Sequence, residues 1–381
     1  MKNLLLILIL CLPAALCTAQ AGQWQELNTK GQEFDTGEIT SVYCQPQGTI
    51  YIGTEFKAVI ANENSYGKLF QWDSSALSRQ TFFPSYKKEM AIRQIIGDAE
   101  GSVYVSGYYK IKSHSQRAYI VYDIPFIYKW DGEVWKQVFT GNPKRQENAY
   151  VEAMCVDASG NLYAIGTAFM KDKHRYIAMW KDDKWSEVGQ DKLTLRAEKH
   201  GPLVLCTDGE GNLYAGGNFA GHAKGNVFKW DGNGWEALGH ESNALNADKD
   251  IRAIVIDHNQ NIYIACAFVS GSKKQYVARW DGKLWSEVGY GTSFLDANND
   301  ICALFVDAKG ILYAAGRFVN ANGNKYVAKW DGKQWLELGG DNSLQANGDI
   351  LSLSMDSMGR LYACGRFKNA NGKHYVAVFV P

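Results

Sequence analysis

The chain has 381 residues, 40 basic and 40 acidic side chains and a formal net charge of zero. That balance excludes a dedicated nucleic-acid binder, which needs a basic surface to meet phosphate. Aromatic residues at 13% and 38 glycines suit an all-β protein with many tight turns.

Residues 1–19 read as a secretory signal. Lys2 supplies the positive charge, and Leu4 to Leu12 is an apolar run too short to span a bilayer. Pro13 ends the run, small residues follow, and cleavage is placed after Ala19 or as late as Ala21. Leu16 is too large for the position before a lipidated cysteine, so Cys17 is not read as a lipid anchor. No later stretch is apolar for long enough to cross a membrane. The sequence therefore predicts a secreted or periplasmic protein whose residues 22–381 form one domain.

Tryptophan pairs then recur at Trp130/Trp135, Trp180/Trp185, Trp230/Trp235, Trp280/Trp285 and Trp330/Trp335, each 50 residues after the last. A period near 50 belongs to propeller blades. From Ile251 the order is an apolar run to Asp257, a turn at His258–Asn261 and a second run to Phe268. A polar loop follows, then Tyr276–Trp280, the turn Asp281-Gly282-Lys283, and Leu284–Val288. These are four strands, A to D, of an antiparallel meander. They are apolar on both faces, as blades packed on both sides require, and the tryptophans are expected to fill the wedge between blades. Aspartates such as Asp157, Asp208, Asp307 and Asp356 open the A–B turns, and glycine closes them.

Strand A begins near Ile39, Met90, Tyr150, Leu203, Ile251, Ile301 and Ile350, which predicts seven blades. The last blade runs out after its C strand at Tyr375–Val380. Gln23-Trp24-Gln25-Glu26-Leu27 matches Gln334-Trp335-Leu336-Glu337-Leu338. The N-terminal strand is thus expected to complete the last blade and close the ring, leaving no open strand edge. Blade 1 lacks the second tryptophan, and blade 2 carries an insertion around Lys110–Asp123.

The run Gly-Asn-Leu-Tyr-Ala-Gly-Gly-Asn-Phe at 211–219, followed by Trp230-Asp231-Gly232 and Trp235, resembles the kelch-type propeller group. That group includes the central domain of galactose oxidase and secreted bacterial repeat proteins. The resemblance covers Trp24 to Val380 and implies the propeller fold. No copper ligands or cysteine–tyrosine cofactor of that oxidase can be assigned to residues of this chain.

The longer D–A and B–C loops lie on one face of such a ring, where recognition is expected. B–C loops of blades 3 to 7 hold Lys171, Lys173, Arg175, Lys224, Lys273, Lys274, Lys325, Lys368 and Lys373 against one acid, Asp172. Lys273, Lys274, Lys325 and Lys373, with His174 and His374, are the candidate ligand-binding residues. Asp250, Asp300 and Asp349 precede strand A in blades 5 to 7 and should ring the channel mouth. They either bond the local backbone or share a cation, Ca²⁺ by their oxygen ligands; no other cofactor is expected. Six cysteines remain after cleavage, one per blade in six blades, and read as buried thiols.

The predicted function is a monomeric binding or scaffold module that recognises a glycan or protein partner on the D–A/B–C face. The alternative is an extracellular enzyme acting on glycans or esters there. No Gly-x-Ser-x-Gly elbow or His-Glu-x-x-His motif occurs.

Overall fold

The computed structural model describes residues 22–31, 34, 37–55, 68–80, 90–114, 119–141, 149–171, 174–189, 196–197, 203–219, 226–239, 245, 251–266, 275–289, 293–295 and 297–381. The signal segment, Lys273, Lys274 and Asp250 lie outside the described residues.

Each period folds as a four-stranded antiparallel blade. In blade 5, Ile251–Ile256 pairs with Ile262–Cys266, which pairs with Tyr276–Trp280, which pairs with Trp285–Glu287. Blade 1 comprises Ile39–Cys44, Ile50–Thr54, Leu69–Trp72 and Leu77–Gln80. Blade 2 comprises Met90–Gly97, Val103–His114, Tyr119–Trp130 and Trp135–Thr140. Blade 3 comprises Ala153–Val156, Leu162–Ile165, Ala178–Lys181 and Lys184–Glu187. Blade 4 comprises Leu203–Thr207, Leu213–Gly217, Asn226–Trp230 and Trp235–Ala237. Blade 6 comprises Ile301–Val306, Leu312–Gly316, Ala328–Trp330 and Trp335–Glu337.

Blade 7 has Ile350–Met355, Leu361–Gly365 and Ala377–Val380, and its fourth strand is Gln23–Glu26. Gln23 pairs with Val380 and Glu26 with Ala377, so the N-terminal strand closes the ring as the sequence predicts. The protein is a seven-bladed β-propeller.

Burial falls from the middle of each blade outward. Every residue of the B strands Leu213–Gly217, Ile262–Cys266, Leu312–Gly316 and Leu361–Gly365 is buried. Strand A alternates between buried and half-buried residues, because it is innermost and each strand A touches strand A of both neighbours. Side chains tie these inner strands across blades: Thr207 Oγ1 donates to Val156 O at 2.8 Å, and Cys44 N donates to Ser354 Oγ at 2.9 Å.

The core divides into seven clusters, each drawn from two adjacent blades. The tryptophan pairs flank these clusters and are half-buried, so they lid the interblade wedge at its rim. Expecting them to fill it overstated their depth, because the B-strand residues already occupy the interior. Trp185, Trp285 and Trp335 each donate their indole N–H to the preceding blade, at Val138 O (2.8 Å), Leu238 O (2.9 Å) and Val288 O (2.9 Å).

The A–B turns repeat one hydrogen-bond set. Asp257 Oδ1 accepts the amides of Asn259 and Asn261, and its Oδ2 accepts the Tyr263 hydroxyl at 3.1 Å. The same aspartate–tyrosine pair recurs as Asp98/Tyr104, Asp157/Tyr163, Asp208/Tyr214, Asp307/Tyr313 and Asp356/Tyr362. These carboxylates, one per blade in six blades, are turn chemistry.

The blade 2 insertion is a continuation of strands B and C. Their ladder runs from Val103↔Trp130 to His114↔Tyr119. The described pairing of strand A with strand B ends at Met90↔Tyr109, and the B–C ladder continues from Lys110↔Asp123 outward on the D–A/B–C face.

Candidate functional site

The mouth of the channel on that face is built where each strand A starts. In blades 1, 5, 6 and 7 the A–B ladder shifts register after its first residue, at Ile39, Ile251, Ile301 and Ile350, and in blade 2 it shifts after the third, Ile92. A bulge of this kind re-aims the extra residue. In blades 2 and 5 that residue is Arg93 and Arg252.

From Arg252 an alternating chain of charges runs through blades 5, 6 and 7 to blade 1. Arg252 Nη2 lies 3.6 Å from Asp300 Oδ2, and Arg317 Nη1 lies 3.1 Å from the same oxygen. Arg317 Nε stands 3.3 Å from Asp349 Oδ2, and Arg366 Nη1 is 3.4 Å from it. Arg366 Nε then donates to Glu38 Oε2 of blade 1 at 2.7 Å. The hydrogen bond that Arg366 donates to Glu38 holds its guanidinium above its ordinary pKa, and the charges of the Glu38, Asp349 and Glu55 carboxylates add to it.

Glu55 carries the network into blade 2 by accepting the Tyr108 hydroxyl at 3.0 Å. The Arg93 guanidinium lies 5.2 Å and the Lys110 ammonium 5.6 Å from the Tyr108 ring centroid, within cation–π range. Lys110 pairs with Asp123 at 2.9 Å, and Asp123 also accepts the Tyr150 hydroxyl of blade 3 at 2.8 Å. Beside it Arg175, 1% exposed, pairs with Glu152; burial pushes the Glu152 carboxyl up and the guanidinium opposes that. The result is a collar of paired charges and tyrosines around most of the mouth.

Asp300 and Asp349 share the Arg317 guanidinium. Asp300 Oδ1 also accepts Gln275 Nε2 at 2.9 Å. A resident Ca²⁺ needs six to eight oxygens, and three arginines already engage these two carboxylates, so the residues do not fit that ion. Among the described residues no group of three or more His, Cys, Asp or Glu could hold a metal.

Of the candidate lysines and histidines, the described ones are His174 in blade 3, Lys325 in blade 6, and Lys373 and His374 in blade 7. Lys325 exchanges backbone bonds with Ala346 of the following D–A loop at 2.9 and 2.8 Å. His174 pairs with Lys171 in a small hairpin that joins Arg196–Ala197 in a three-stranded sheet. Lys373 and His374 line a groove of about 420 Å³ with Glu26, Asn28, Asn369 and Asn371. Asn369 holds its own turn through the amides of Asn371 and Lys373 and reaches Glu26 at 3.1 Å. His374 Nδ1 is 3.2 Å from the Phe367 carbonyl oxygen. The structure thus brings Lys373 and His374 together and leaves Lys325 and His174 in other blades.

Sequence reasoning missed Arg252, Arg317 and Arg366. The repeated Gly316-Arg317-Phe318 and Gly365-Arg366-Phe367, set against Gly217-Asn218-Phe219, was the available signal.

No protein-family model matches the chain. A search of curated proteins finds no match either. Solved structures match over nearly the whole length. YCF48 bound to D1 peptide has a TM-score of 0.55 at 12% identity, covering 94% of this chain and 97% of that one. YCF48 from Cyanidioschyzon merolae has a TM-score of 0.53 at 10% identity, covering 94% and 98%. The β-propeller domain of the Trilobed protease from Pyrococcus furiosus has a TM-score of 0.55 at 8% identity, covering 90% and 93%. Likeness at these identities shows the propeller fold, and the resemblance to the kelch-type group stands at that level. No helix among the described residues is long and apolar enough to cross a membrane.

Proposed function

We propose that the chain is an exported, monomeric binding propeller that recognises an acidic glycan or an acidic protein surface on its D–A/B–C face. The observation that carries this reading is the collar. Arg252, Arg317 and Arg366 are 35–44% exposed at the mouth, prepositioned by carboxylates that fix their guanidinium planes. Arginine forks held this way suit bidentate capture of incoming carboxylates. Lys373 and His374 extend the same face outward through their groove. The test is an array of acidic polysaccharides and acidic proteins probed with the mature chain at low and physiological salt. Binding that survives neutral competitors and weakens with salt supports the reading; no binding at low salt removes it.

One observation favours a second reading as a hydrolase: Glu26 and His374, a carboxylate and a base, line one groove. Chromogenic esters and glycosides, turned over by the chain and not by His374→Gln, would establish it.

A further inference from the structure

Between blades 4 and 5, on the face of the A–B and C–D turns, lies a groove of about 460 Å³. It is remote in the repeat from the collar, which uses the opposite ends of the strands. Its walls are Tyr214 and Lys229 of blade 4 and Trp280 of blade 5, and its rim carries Glu210, Glu236 and Gln260. We propose that this groove is a second ligand site, which takes a single pyranose ring of a saccharide.

One departure from the repeat and one contrast with another blade pair meet there. The first is Gln260. Its position closes the A–B turn, and the other six blades place glycine there: Gly48, Gly101, Gly160, Gly211, Gly310 and Gly359, all at positive φ. Gln260 adopts the same left-handed backbone at φ 64 and makes the same turn bond, from its amide to Asp257 O at 3.0 Å. A non-glycine side chain is held against its backbone preference at the groove, and such outliers cluster at ligand sites.

The second is the occupancy of the slot. Between blades 2 and 3 the matching positions are Tyr104, Lys129 and Trp180. There the Lys129 ammonium lies 5.3 Å from the Tyr104 ring and 5.6 Å from the Trp180 ring, filling the space between them. Between blades 4 and 5 Lys229 lies 5.8 Å from Tyr214, and the indole of Trp280 lines an open groove. The other side of that indole is taken by Trp285, with ring centroids 5.4 Å apart. At the strand D position where blade 2 has Lys136, paired to Asp131 at 3.0 Å, blade 4 has exposed Glu236.

An aromatic wall ringed by the Gln260 amide, by Glu210 and Glu236 at the rim with Asp208 deeper in its turn, and by the Lys229 and Lys283 ammonium groups matches a pyranose. Its C–H face packs on the indole, and its hydroxyls donate to carboxylates and accept from Lys229 and Gln260. A purely apolar ligand would strand these polar groups, and the three carboxylates Asp208, Glu210 and Glu236 outnumber Lys229 and Lys283, which disfavours an inorganic anion.

The experiment titrates the full mature chain with methyl pyranosides of the common hexoses and N-acetylhexosamines, read by tryptophan fluorescence and by calorimetry. At least one should bind saturably in the millimolar range. Gln260→Gly should weaken that binding by about tenfold, the loss of one or two hydrogen bonds, while the melting temperature holds or rises because the turn regains its preferred residue. Glu236→Lys, which installs the blade 2 residue, should also weaken it. No saturable binding by any pyranoside overturns the proposal, as does Gln260→Gly binding equally well. Substitutions in the collar leave this site untouched, so its failure is distinguishable from failure of the anion-binding reading.

Discussion

Trp24 donates its indole N–H to the backbone carbonyl oxygen of Leu338 at 3.1 Å, although 314 positions separate them. In blades 3, 5 and 6 the same bond joins residues 47 positions apart. The N-terminal strand therefore occupies the D position of blade 7 in full chemical detail, down to the interblade indole bond.

Deleting Gln20–Asn28 should expose the edge of Ala377–Val380 and the buried side of Leu27's site. The truncated chain is expected to aggregate or to lose much of its thermal stability. Trp24→Phe keeps the strand and an aromatic ring but removes the indole bond, at about 1 kcal/mol, together with part of the packing on Phe379. Size-exclusion chromatography and thermal melts check both; a monomeric truncation with the parent melting temperature would refute the closure.

The ring was legible because its signals are local and periodic: tryptophans 50 apart, Asp-x-x-Gly turns, and a terminal strand that copies Trp335. The collar was not. Arg317 and Arg366 are 49 residues apart, and nothing in their spacing says that both reach Asp349. Only the convergence of strand ends at the mouth does that. Asp300 and Asp349 were found by their place before strand A, but spacing gave no hint of the guanidinium between them. The bulge that turns Arg252 into the mouth is likewise a matter of register.

The buried tyrosines should make the fold fail in alkali. Burial pushes Tyr51 and Tyr263 from 10.0 up to about 12, and the neighbouring Asp257 adds to the latter. Tyr104, Tyr163, Tyr214, Tyr313 and Tyr362 are also raised, chiefly by burial, with their turn aspartates adding. A group whose folded pKa is raised contributes stability that is fully present below its unfolded pKa. That stability is lost as pH rises through the folded value. Stability should thus be flat below pH 10 on account of these groups and fall from there to about 12. Absorbance at the tyrosinate band should rise together with loss of near-ultraviolet circular dichroism. Ionisation of the buried set near pH 10 with the fold intact would contradict this.

The thiols should be reduced and slow to react. None of Cys44, Cys155, Cys206, Cys266, Cys302 and Cys364 is in a disulfide. Burial pushes Cys44 up to about 12, Cys155 and Cys206 well above 9.0, and Cys364 upward too. The thiolate is the reactive form, so native protein at neutral pH should resist alkylation while the denatured, non-reduced mature chain titrates close to six groups. A count near zero would show a disulfide framework instead.

The two sets of cations on the D–A/B–C face should behave differently. Lys273 and Lys274 lie outside the described residues and are expected to be loop lysines from the sequence; Lys325 and Lys373 lie between the B and C strands of their blades, and Lys373 is exposed beside its groove. Charge changes in such places usually alter stability by less than about 0.5 kcal/mol. Replacing all four with glutamine should leave the melting temperature nearly unchanged and reduce low-salt binding to an acidic polysaccharide. The effect should fade as salt shortens the screening length to about 8 Å at physiological ionic strength. Arg317 differs, because it stands between Asp300 and Asp349. Arg317→Gln leaves those two carboxylates facing each other with one arginine each. It should cost about 1 kcal/mol of stability, a figure already reduced for the arginine's 40% exposure. Its loss of binding should persist at high salt, since an ordered guanidinium fork acts at contact distance. Equal binding by the lysine variant and the parent would remove the loops from recognition. Equal binding by Arg317→Gln would remove the collar, and both measurements can be made on one array.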